Sequence, residues 1–304
     1  MKTYNIKKIS KIFHFAGIII LLYILSTLQY DKIFLILKKI NFFYLFLHMM
    51  SFFIYFFLKV YRFSFILKYY GHEPPLFNVF GATIESQYFG FITPSRIGES
   101  IKILFLEAQA NIPKRVSIMA YIYDRFQDLY FMALLGIFSF IFILKLPTNI
   151  YLIIFTTAMF VLFFVKNPIL KKLSIKLKIE HFKGLSLKSD FYLFVQNGFI
   201  YVFYFLEFYF SALSLGASIN FFYLSAVAVI GALSTLLPLS ISGLGIREGI
   251  FVYYLVKVGI SKETAFLISF LDNFGFLIIF VIILHITYKV LSNVNRFKNK
   301  SDLI

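Results

Sequence analysis

Apolar runs close to the ~20 residues that cross a bilayer recur along the whole chain, and this repetition constrains the fold more than any other feature. The 304 residues are 60% hydrophobic with a mean hydropathy of +0.84, too apolar for a soluble domain of that length. The fold class expected is an all-α polytopic membrane protein, with residues 1–304 forming a single transmembrane domain. No stretch is long or polar enough for a separate soluble unit. An ATPase, kinase or tRNA-dependent catalytic module is thereby excluded.

The absence of cysteine excludes disulfides and Cys-ligated metals. Thirty Lys+Arg against 14 Asp+Glu give a net charge of +16. In a membrane protein that excess reads as loops lying on the anionic cytoplasmic leaflet, not as a nucleic-acid surface. The N-terminus, MKTYNIKKISK, is basic and precedes an apolar run to Leu28. It lacks the short core and small-residue cleavage site of a signal peptide, so a retained first span is expected.

Six full spans are expected: Ile12–Tyr30, Ile40–Val60, Val116–Leu144, Tyr151–Val165, Phe191–Ala217 and Thr264–Tyr288. Four basic segments orient them: the N-terminal tail, Lys59 with Arg62 and Lys68, the lysine-rich loop Lys166–Asp190, and the C-terminal tail. With all four inside, the protein sits in the cell membrane with both termini cytoplasmic. Lys32, Lys38 and Lys39 then fall outside and are expected to snorkel from a short interfacial helix. Two further apolar stretches, Leu76–Ala110 and Phe221–Val258, are broken in the middle by Gly and Pro and read as two re-entrant hairpins.

The halves, roughly residues 1–147 and 148–304, align at an offset of 148. Asn111–Asp128 lies over Gly259–Phe276, with Ile112 on Ile260, Lys114 on Lys262, Asp124 on Asp272 and Phe126 on Phe274. Charge places the halves in opposite orientations, which makes an inverted-topology repeat, a transporter design.

Broken backbone is tolerated at membrane depth only where protein buries it or a wet cavity meets it. The two tips are TPSRIGES, with Pro94, Ser95, Arg96, Gly98 and Glu99, and PLSISGLGIREG, with Pro238, Ser240, Ser242, Gly243, Gly245, Arg247 and Glu248. Each leads into a helix N-terminus, where free N–H donors and the dipole favour phosphate or carboxylate. Arg96 and Arg247 are the candidates for bidentate phosphate contacts. Glu99 and Glu248 are candidates to neutralise them, or to take an ammonium group or a proton. The competing reading makes each Arg–Glu set an internal lock.

Asp124 and Asp128 share a helix face beside Arg125, and Asp272 with Asn273 occupies the matching helix. These residues read equally as helix–helix hydrogen bonding or as pathway and coupling groups. Glu207, with Gln196 and Asn197 behind it on one span, is a candidate for a cavity wall or proton site, as is Glu85 more weakly. His14, His48, His72, His181 and His285 share no ligand spacing and read as interfacial or packing residues. Neither a metal site nor a cofactor is expected, and no Walker loop or nucleophile elbow is present.

On these residues the chain resembles the flippase-like family known from the transmembrane region of lysylphosphatidylglycerol synthases. Its Pro-Gly-Arg-x-Gly-Glu turn appears as Pro94 to Glu99, with Ser95 in place of the first Gly. An acidic-Arg-x-x-Asp signature matches Asp124, Arg125 and Asp128, and Pro…Gly-x-Gly-x-x-Glu matches Pro238, Gly243, Gly245 and Glu248. In two-domain relatives a cytosolic domain transfers an amino acid from tRNA to a phospholipid, and the membrane part moves the product outward. Because this chain ends at Ile304, the resemblance implies lipid translocation without lipid synthesis.

Three functions follow. The first is a flippase or scramblase for a phospholipid, an aminoacylated or glycosylated lipid, or a polyprenyl-phosphate carrier, downhill or ion-driven. The second is an integral-membrane transferase using Asp124, Asp128 or Glu207 as acid and base. The third is a scaffold whose lysine-rich loop docks a separate lipid-modifying enzyme. Membrane lipids are the expected partners in all three, with a homo-oligomer left open.

Overall fold

A computed structural model describes residues 16–93, 96–144, 157, 171–172, 175, 187–235, 240, 242–272 and 281–291. Among them the chain is helical, without strands. The helices are α1 (Ala16–Ser26), α2 (Tyr30–Lys38), α3 (Phe42–Tyr69), α4 (Leu76–Phe91), α5 (Ile101–Ala110), α6 (Lys114–Leu144), α7 (Leu187–Ser214), α8 (Phe221–Ser234), α9 (Ile246–Val256), α10 (Lys262–Phe270) and α11 (Val281–Leu291). A 3-10 turn, Ile97–Ser100, leads into α5.

Two of these helices, Phe42–Tyr69 and Lys188–Ser214, are long and apolar enough to cross a membrane, and the pair α1–α2, bent by 84°, makes a third if it counts as one span. The short helix expected around Lys32 and Lys38 is α2. It buries none of its residues, and the Lys38 ammonium lies 4.5 Å over the Phe34 ring. The expected span Tyr151–Val165, most of the lysine-rich loop and residues 273–280 of the last span fall outside the described residues.

Asn41 starts α3 by accepting hydrogen bonds from the Phe43 and Tyr44 N–H groups. Nothing from Asn41 to Tyr70 breaks a helix. At Gly71, with φ +80°, the His72 N–H bonds back to the Leu67 carbonyl at 3.1 Å and the Gly71 N–H to that of Lys68 at 3.0 Å. This helix therefore outruns the expected end at Val60. Lys59 and Arg62, expected as cytoplasmic flank charges, lie inside it, and Arg62 is fully buried.

The inner face of α3 carries His48, Ser51 and Arg62, while Phe43, Phe46, Phe57 and Tyr61 point outward and are more than half exposed. A helix that hides Lys59 and Arg62 in its interior turns and exposes these four aromatic rings is built for an apolar surrounding. It runs antiparallel to α7 along its length. The Asn41 N–H bonds the Ser214 carbonyl at 2.8 Å, Tyr55 meets Tyr204 and Phe65 meets Tyr192.

Both broken stretches fold as helical hairpins. In the first, α4 and α5 pack antiparallel, with the Asn78 amide on the Gln109 carbonyl at 3.0 Å and the Ser86 hydroxyl on the Glu99 carbonyl at 3.0 Å. In the second, the Tyr223 hydroxyl reaches the Tyr254 carbonyl at 2.9 Å between α8 and α9. Each hairpin has its own apolar core. Phe63, Ile84, Leu106 and Met119 lie in one, and Phe208, Val227, Phe251 and Ile268 in the other.

Candidate functional site

At the first tip Arg96 takes a left-handed conformation, φ +54°. The Gly98 N–H is taken by the Thr93 hydroxyl at 2.8 Å, so the free donor expected there is already satisfied. Arg96 Nε lies 3.3 Å from the Glu99 carboxylate, and its Nη2 donates to Gln87 at 3.3 Å. Arg125 from α6 pairs with the other Glu99 oxygen and, at 3.3 Å, with Asp128. The Glu99 side chain is 0% exposed while those of Arg96 and Arg125 are each 25% exposed. The anion thus sits behind two cations, and the cations face outward from it.

Behind this tip lies a buried ion cluster that crosses α3, α5, α6 and α7. Arg62 pairs with Asp124 at 2.7 Å and Asp128 at 2.7 Å and donates to Asn197 at 2.6 Å. Lys59 adds a contact to Asp128 at 3.2 Å, and Lys102 to Asp124 at 3.5 Å with its ammonium 4.0 Å over the Phe63 ring. The network continues through Asn197 to Gln127 at 3.1 Å, Tyr123 at 2.8 Å and Asp190 at 2.7 Å. Such a cluster costs much desolvation, which its ion pairs and hydrogen bonds must offset.

The second tip is built differently. Glu248 accepts the Gly245 N–H at 2.5 Å and the Ser269 hydroxyl at 3.5 Å, which makes it a support for the turn. Arg247 pairs with Asp272 and lies 4.9 Å from the Phe208 ring. Asp272 sits where α10 widens into a π turn, a distortion that often accompanies functional sites. His48, expected as a packing residue, donates through Nδ1 to the Glu207 carbonyl at 2.8 Å. Side-chain donor atoms of His48, Glu207 and Asp272 lie within 4.8 Å of one another. Of the three, Asp272 is already paired with the Arg247 guanidinium.

The two tips meet at one cavity of about 460 Å³, within the range of small-molecule sites. The first hairpin contributes Arg96, Ile97 and Ser100, and the second contributes Thr235, Ser242 and Arg247. Arg125 and Asp128 enter from α6, Tyr55 and Lys59 from α3, Tyr204 and Glu207 from α7, and Asp272 from α10.

Of the residues expected at the site, Arg96, Arg125, Asp128, Glu207, Ser242, Arg247 and Asp272 line this cavity. Glu99 and Asp124 stand behind it as counter-ions. Gly243 packs on Thr235, Gly245 packs on Gly17 of α1, and Glu248 caps its own helix, and none of the three lines the cavity. Ser95 and Asn273 lie outside the described residues. Glu85 pairs with His285 at 3.1 Å between α4 and α11.

Sequence reading missed His48, Lys59, Arg62 and Lys102 as site residues. Two signals were available: Arg62 stands one turn from Lys59 in an unbroken helix, and Lys102 stands one turn from Glu99.

Comparison with curated proteins finds no match. A family model described as the lysylphosphatidylglycerol synthase TM region matches residues 11–284, which take in both hairpins, the ion cluster and the whole cavity wall. With nearly its full length matched, the chain belongs to the lysylphosphatidylglycerol synthase transmembrane-region family.

Proposed function

We propose that this protein moves a lipid between membrane leaflets, with the headgroup passing through the cavity between the hairpin tips. The observation that carries this reading is that two broken helices, more than a hundred residues apart in sequence, line one cavity edged by Lys59, Arg96, Arg125 and Arg247. Guanidinium groups suit a phosphate bidentately, and Arg96 and Arg125 have their shared anion on the side away from the cavity. Acyl or prenyl tails stay in the bilayer beside the exposed aromatic rings of α3.

The framework we infer is six crossings and two re-entrant hairpins in the cell membrane, with both termini cytoplasmic and the halves related as an inverted repeat. Helix starts support the repeat. Those at Phe42, Leu76, Ile101 and Lys114 are followed 145 to 148 residues later by starts at Leu187, Phe221, Ile246 and Lys262. Left-handed helix ends recur in the same way, at Gly71 and Gly216 and at Asn111 and Gly259. The antiparallel run of α3 and α7 is what inversion of matching spans produces.

The test is translocation of fluorescent phospholipids in proteoliposomes, read with a membrane-impermeant quencher. Wild-type protein is expected to move lipid faster than empty vesicles, and Arg96→Ala and Arg247→Ala to lose most of that excess. Wild-type rates equal to those of empty vesicles across anionic and zwitterionic lipids would remove this reading.

A further inference from the structure

Carboxyl oxygens of Glu207 and Asp272 lie within 4.8 Å of each other on the cavity wall. Two ionised carboxylates this close repel, and a proton shared between them removes the repulsion. Both residues are buried, Glu207 to 2% and Asp272 to 4% exposure, and an unbalanced charge there is costly.

The groups that face the pair come from each packed helix. From α9 comes Arg247, paired with Asp272. His48 comes from α3, and its bond to the Glu207 carbonyl puts a hydrogen on Nδ1 and turns Nε2 away from that carbonyl. Tyr204, on α7 itself, lines the same wall, with its ring 5.7 Å from that of Tyr55. The residues of α8 and its C-terminal cap at this wall, Ala232 and Thr235, do not titrate. Two carboxylates and one guanidinium leave one negative charge, which one proton neutralises.

We propose that Glu207 and Asp272 form a proton-binding site whose occupancy frees Arg247 for an anionic headgroup, so that lipid movement is coupled to the proton gradient. The argument rests on the translocation reading above. Without the proton, Asp272 holds Arg247 and the anion has one partner fewer. With it, the carboxyl pair is neutral and the guanidinium charge is satisfied by the headgroup phosphate. Proton and anion then raise each other's affinity, as linkage requires.

Two readouts test this, and one needs no lipid. In infrared spectra of the purified protein, a carboxylic-acid band is expected in the wild type and is weaker or absent in Glu207→Gln and in Asp272→Asn. In proteoliposomes, wild-type translocation is expected to change by up to about tenfold under a difference of about one pH unit, the ratio of proton activities it sets. Both variants should move lipid at a rate indifferent to the gradient, and a sodium gradient should leave the wild type unchanged. A band unaltered in both variants, or a wild type that moves lipid equally fast with and without the pH gradient, would overturn this inference and leave translocation standing. A normal band with no lipid movement would instead overturn translocation, and the coupling with it.

Discussion

Arg62→Met is expected to destabilise the folded protein by about 3–5 kcal/mol, the cost of removing one partner from a buried ion cluster. Methionine keeps the side-chain volume near that of arginine, so packing contributes little to the loss. The damage is electrostatic: Asp124 keeps Lys102, Asp128 keeps Lys59 and Arg125, and the bonds from a fully buried guanidinium to both acids and to Asn197 disappear. Pairing Arg62→Met with Asp124→Asn should cost less than the sum of the two single changes, since the two residues are direct partners and each single change already breaks their contact. Unfolding by denaturant titration in detergent reads all three. Purely additive losses would mean that the cluster is not the unit described above.

Gly245→Ala is the second large effect. Gly245 has φ +82°, and a Cβ there would drive into the backbone carbonyl of Gly17 on α1. Strain and overlap together are expected to cost ~3–5 kcal/mol. Gly71 has φ +80° and nothing within 4 Å of a Cβ, so Gly71→Ala isolates the strain at ~1–2 kcal/mol. Thermal unfolding of the two variants side by side separates the contributions. Equal losses would mean that α1 does not press on the second tip.

The two hairpins were legible in the sequence because Gly and Pro punctuate a helix locally, whatever it packs against. Arg62 was not legible for a related reason. Cations near the end of an apolar run normally mark a membrane flank, and only the lack of a breaker before Gly71 argued that α3 continued. His48 gave no local signal, since its partner carbonyl lies 159 residues away.

The Arg–Glu sets misled in an instructive way. Arg96 and Glu99 are three apart and can meet on one side of a helical turn, and they do so at 3.3 Å. Arg247 and Glu248 are adjacent, so their side chains leave the helix in different directions. Arg247 finds Asp272 while Glu248 closes the turn at Gly245. Similar letters at the two tips thus specify a counter-ion in one and a cap in the other.

A single headgroup path bordered by both hairpin tips can be tested directly with thiols placed on each tip. The chain has no cysteine, so single thiols can be introduced without a background. Ser100→Cys and Thr235→Cys place one on each side of the cavity. The measurement is lipid translocation in proteoliposomes before and after each is labelled with a bulky thiol reagent. The prediction is that either label alone stops translocation, and that a phosphate-bearing lipid slows labelling at both positions. Full labelling at both sites with translocation unchanged would contradict it.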